Sequence, residues 1–146
     1  MPVRIDPALI PAAPDLAFES ALWAQGVNLV AGLDEAGRGA WAGPVAAAAV
    51  ILPNDSEIQK KLAGVRDSKQ LSPERRAELA QVIERHAAAW SVGFSSSDEI
   101  DCYGIVPATR LAMQRALDGL KQPPRHLLID ALFLPDIDLP QSALIK

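Results

Sequence analysis

Apolar positions along this chain gather into short uncharged runs, separated by stretches with helical period. From Val27 to Leu33 the residues are mostly apolar and too few for a helix, which predicts a buried strand with Asp34 and Glu35 at its end. Val45 to Leu52 is apolar on both faces. An alanine run can also form a helix, but its short length between Pro44 and Pro53 favours a central strand. Trp90 to Ser95 alternates apolar with small or polar residues and predicts a strand lying at an edge on one side. Leu127 to Asp130 reads as a short buried strand ending in a carboxylate, and Gln141 to Lys146 begins a last one.

Helical signals fall between these runs. Leu16 to Gln25 has Asp15 as N-cap, Phe18 and Leu22 four apart, and Gly26 as its stop. Ser72 caps a second helix with Pro73 at its first position, and Leu79, Val82, Ile83, His86 and Trp90 recur at helical spacing. Ser96 to Glu99 caps another segment, which leads through Ile105 and Pro107 into the stripe Ala108, Ala112, Met113, Ala116, Leu117 and Leu120. Prolines at 2, 7, 11 and 14 make residues 1–14 an extended, weakly ordered lead, so the domain is expected over residues 15–146. The resulting order is helix, strand, strand, helix, strand, helix, strand, strand. It fits an α/β layer fold with a mixed central sheet, antiparallel opening strands and flanking helices.

Composition narrows the class. With 146 residues, 49% hydrophobic and 22% charged, the chain suits one globular domain with a core. No apolar window reaches about 18 residues and the first residues lack a signal-peptide layout, so a cytoplasmic protein without membrane partners is expected. The single cysteine, Cys102, allows no internal disulfide. A net charge of −4 excludes a broad basic coat for nucleic acid, although bound cations would supply local positive charge.

The candidate chemistry lies between Gly32 and Pro44. Adjacent carboxylates in an apolar frame repel each other and resist burial, and a divalent cation removes that cost. Carboxylates suit Mg²⁺ or Mn²⁺, and no second cysteine suggests zinc. An Asp-Glu pair is otherwise commonly a solvated turn. The glycines of Gly37-Arg38-Gly39 permit close backbone approach to a sugar-phosphate, or simply make a turn. Arg38 and Lys69 are the cations best placed for phosphates. His86 reads as a packed or half-exposed helix residue. No phosphate-binding Gly-x-x-x-x-Gly-Lys-Ser/Thr occurs.

These motifs resemble those of type 2 ribonucleases H, specifically bacterial ribonuclease HII. The resemblance runs through Gly32-Leu33-Asp34-Glu35-Ala36-Gly37-Arg38-Gly39, Ala42-Gly43-Pro44, Asp67-Ser68-Lys69, Glu99-Ile100-Asp101, Ala108-Thr109, Ala112-Met113 and Ile129-Asp130. It implies a ribonuclease H-like fold and a metal-dependent endonuclease of DNA replication and repair. Its substrates would be RNA–DNA hybrids and ribonucleotides embedded in duplex DNA, cut to leave 5′-phosphate and 3′-hydroxyl ends. It further implies a monomer whose catalytic and metal-binding acids are Asp34, Glu35 and Asp130, holding two Mn²⁺ or Mg²⁺ ions about 4 Å apart. Gly37, Arg38, Gly39 and Lys69 would bind substrate. The family's fourth carboxylate and C-terminal helices have no counterpart here, so the chain reads as truncated at its C-terminus and weakly active or inactive alone. Asp136 and Asp138 stand too close to Asp130 to replace that acid. Two alternatives follow: a non-catalytic nucleic-acid-binding fragment, or another nuclease of the ribonuclease H superfamily.

Overall fold

The uncharged run after Pro44 becomes the inner part of a sheet. The computed structural model describes residues 2–38 and 43–144. Among these, strands β1 (Val3–Ile5), β2 (Val30–Ala36), β3 (Val45–Ile51), β4 (Ala89–Ser95), β5 (His126–Asp130) and β6 (Gln141–Leu144) form one sheet in the order β1-β6-β5-β2-β3-β4. The helices are α1 (Ala17–Ala24), α2 (Ile58–Lys61), α3 (Pro73–His86), α4 (Ser97–Tyr103) and α5 (Ile105–Asp118). Pairs β2–β3 and β3–β4 are antiparallel, whereas β2–β5, β5–β6 and β1–β6 are parallel. The mixed sheet with an antiparallel opening is therefore present. No helix among the described residues is long and apolar enough to cross a membrane.

Helix α5 covers β4, β3 and β2 on one face. Its Ala112, Met113, Ala116 and Leu117 join Ala31, Leu33, Ala47, Ala49, Ile51, Leu127 and Ile129 in the core. The approach is close because β4 presents small residues there. A Cβ on Gly93 would stand 2.3 Å from the Ala112 carbonyl oxygen and 2.5 Å from the Ala116 nitrogen, so only hydrogen fits. The usual apolar-in pattern is thereby reversed on β4. Gly93 and Ser95 are buried, whereas Trp90, Val92 and Phe94 keep 45%, 44% and 55% of their surface exposed.

A polar clamp holds this end of β4. Ser96 and Glu99 form a capping box at the start of α4. Arg115 on α5 donates to both Glu99 oxygens at 2.7 and 2.8 Å and to the Phe94 carbonyl at 2.7 Å. The Ser95 hydroxyl donates to the Ala108 carbonyl. Together these bonds tie α4 and α5 to the strand.

Four local expectations are revised. Strand β2 begins at Val30 instead of Val27, because the Val27 N–H still donates to Leu22 at the end of α1. It also continues past the acids to Ala36, carried by pairing of Ala36 with Ala46 on β3. Trp90 belongs to β4, since α3 ends at His86 and Ala87 is already extended. In the proline-rich lead, Val3–Ile5 pair with Ser142–Leu144 and give β6 a second neighbour, which proline spacing did not indicate.

Candidate functional site

Strand β2 is where the sheet changes character: parallel β5 lies on one side of it and antiparallel β3 on the other. Such a switch point opens beyond the carboxyl ends of parallel strands. Leu33 pairs with Ile129, so the next residues, Asp34 and Asp130, stand on adjacent strands at the same end of the sheet. Successive strand residues alternate between faces. At this strand end Glu35 nonetheless stays close enough to Asp34 for the two carboxyls to interact.

The three acids differ in surroundings. Asp34 is exposed, and its Oδ1 accepts the Glu35 N–H at 2.8 Å. Even so, burial of the carboxyl raises its pKa from the ordinary 3.8 to about 6, opposed by that hydrogen bond and assisted by the nearby charges of Asp130 and Glu35. The side chain of Glu35 is only 15% exposed. Its Oε1 receives the Arg38 Nη1 at 3.4 Å, while Oε2 is buried without a hydrogen-bond partner among the described residues. Asp130 is half-buried, and Ala131 immediately after it takes a left-handed φ of 63°.

An orphaned buried oxygen beside a carboxyl reluctant to ionise matches the donor chemistry of a hard divalent cation. Donor type and charge fit. The geometry is looser, for among the described residues no three His, Cys, Asp or Glu side chains converge on one point. Asp34 feels the charges of both Asp130 and Glu35, and the acids make an open rim among the described residues.

Immediately after β2 the backbone passes close to Pro44. Gly37 has φ 92°, and a Cβ there would stand 2.9 Å from the Pro44 carbonyl oxygen. Arg38 keeps 35% of its side chain exposed, and its bond to Glu35 is long for a hydrogen bond. Gly39 lies outside the described residues. Lys69 sits on a 3-10 turn, Ser68–Gln70, whose start is fixed by the Asp67 carboxylate accepting the Lys69 N–H at 3.0 Å. Its side chain is exposed and makes no ion pair among the described residues. Asp136 lines a cleft of about 300 Å³ with Pro107, Arg110 and Gln114.

Sequence reasoning did not anticipate the left-handed backbone at Ala131, a conformation that favours glycine. It also overlooked the Arg115 clamp, whose partners are distant in sequence.

Residues 31–146 match the family model for Ribonuclease HII. The ribonuclease HII of Moorella thermoacetica is 51% identical over 129 residues, which is 88% of this chain and 61% of that protein. Among solved structures, the PCNA:RNase HII complex from Archaeoglobus fulgidus matches with a TM-score of 0.63 at 29% identity, covering 81% of this chain and 63% of that one. Bst-RNase HIII in complex with Mn²⁺ gives 0.59 at 26% identity, covering 87% and 49%. The chain spans about three fifths of the length of the first curated relatives it matches.

Proposed function

This chain belongs to the ribonuclease HII family, and from that premise we propose that it carries the acidic centre of a metal-dependent endonuclease. Its substrates are RNA–DNA hybrids and ribonucleotides embedded in duplex DNA. The pairing of Leu33 with Ile129, which brings Asp34 and Asp130 to one sheet end with Glu35 beside them, supports this assignment most directly. Asp34, Glu35 and Asp130 would hold Mn²⁺ or Mg²⁺ as a two-ion site, in keeping with the Mn²⁺ complex of the related HIII enzyme. Bound there, such ions would supply Lewis acidity and an activated water.

The protein's own groups orient the reaction. The buried Glu35 oxygen and the exposed Asp34 carboxyl present anionic donors at fixed strand positions, so the scissile phosphate is met at the rim of the sheet. The tight turn at Gly37 lets backbone amides and carbonyls approach the sugar, where a 2′-hydroxyl distinguishes RNA from DNA. Gly39, outside the described residues, belongs to the same proposed substrate-binding set. Arg38 and Lys69 contact phosphates without reading sequence. Hydrolysis adds water across the P–O3′ bond, leaving the phosphate on the 5′ end of one product and a hydroxyl on the 3′ end of the other. The protein acts as a monomer in the cytoplasm.

The open acidic rim favours a second reading for these 146 residues by themselves: they bind nucleic acid without cutting it. Cleavage of a duplex containing one ribonucleotide separates the two readings. The chain is assayed beside a longer form carrying the additional length found in its relatives. Turnover confined to the longer form supports a non-catalytic fragment, whereas equal turnover removes that reading. In the active form, Asp34→Asn is expected to abolish cleavage and leave the fold intact. Full activity of that variant overturns the proposed function.

A further inference from the structure

Positive charge is concentrated in one part of an otherwise acidic chain. Residues 60–76 contain six of its 14 Lys and Arg but only two of its 18 Asp and Glu. Several of these cations are already matched. Lys60 pairs with Glu57 at 3.5 Å, Lys61 with Asp55 at 3.0 Å, and Arg75 with Glu78 at 2.9 Å. Arg75 also lies over Gly64, with Nη2 2.9 Å from the point a Cβ would occupy. The Asp67 carboxylate is turned onto its own 3-10 turn and accepts the Lys69 N–H. Arg66, Lys69 and Arg76 are left exposed and make no ion pair among the described residues.

Arg76 stands in a costly place for a purely structural cation. It occupies the first turn of α3, where the helix dipole disfavours positive charge. Arg75 beside it is compensated by Glu78, but Arg76 has no such partner among the described residues. It lies three residues before buried Leu79, on the side of the helix turned toward the protein, yet remains exposed. An arriving anion would relieve both the dipole and the unmatched charge of Arg66 nearby in sequence.

We propose that Arg66 and Arg76 form a phosphate-binding track that holds the substrate duplex outside the cleavage site. Lys69 connects this track to the substrate contacts already assigned. The track rests on the nucleic-acid reading above and extends it from the scissile phosphate to the flanking backbone. Its contacts are electrostatic and independent of sequence, and each neutralised phosphate steepens the salt dependence of binding.

The test is anisotropy of a labelled duplex containing one ribonucleotide, titrated with the chain in EDTA so that no cleavage contributes. Salt is varied from about 50 to 200 mM. Removing two duplex contacts with Arg66→Ala/Arg76→Ala reduces the magnitude of the log affinity against log salt slope by about 1.8. The paired control Lys60→Ala/Lys61→Ala leaves that slope close to the parent value. An equal reduction in both variants overturns the track in favour of diffuse charge. An unchanged slope in Arg66→Ala/Arg76→Ala, with binding by the parent intact, overturns the track alone. Failure of the parent to bind the duplex overturns the nucleic-acid reading and the track together.

Discussion

Replacing Asp34 by Asn should make the metal-free protein more stable near neutral pH while removing a metal donor. The folded protein holds the Asp34 proton up to about pH 6, whereas the ordinary carboxyl releases it near 3.8. Between those values the native state binds more protons than the unfolded state, so stability falls as pH rises through the window. The full move corresponds to about 3 kcal/mol. Because Asp34 is exposed, solvent screening reduces the expected effect on stability to about 1 kcal/mol. Asn removes the charge but retains an oxygen that can accept the Glu35 N–H, now 2.8 Å from Asp34 Oδ1. Urea unfolding in EDTA should show the Asp34→Asn variant more stable than the parent by about 1 kcal/mol above pH 6, with the advantage shrinking as pH falls from about 6 and gone below about 4. An equal loss of stability at every pH would refute the account of a carboxylate held against its ionisation preference.

Two further substitutions test the supporting structure. Gly93→Ala forces a Cβ against the α5 backbone at Ala112 and Ala116 and should cost about 3 kcal/mol in urea unfolding; a loss below about 1 kcal/mol contradicts the close contact. Ala131→Gly relieves the left-handed backbone beside Asp130 and should stabilise by about 0.5 to 1 kcal/mol after the added freedom of the unfolded chain is counted; destabilisation contradicts that backbone assignment.

Much of the sheet was legible because its strongest cues are local. Val45 to Ile51 is uncharged on both faces, which suits an inner strand, and prolines bracket the run. The acids at 34, 35 and 130 were found from strand-end reasoning and a broad family resemblance. Their juxtaposition required the parallel register of β2 and β5, which no local pattern encodes. The reversed faces of β4 were hidden for a similar reason. Trp90, Val92 and Phe94 look like the inward set until the close passage of α5 over Gly93 is known. Likewise, three lead residues gain a strand only through distant β6. Ala131 adopts its left-handed conformation against its own preference, so propensity could not indicate it.

Asp34, Glu35 and Asp130 are proposed to bind a divalent cation together. Calorimetric titration of Mn²⁺ into the parent and into Asp34→Asn, Glu35→Gln and Asp130→Asn tests it without relying on turnover. The parent should bind, and each substitution should weaken binding by at least about tenfold. Parent-like Mn²⁺ affinity in all three variants would contradict the claim.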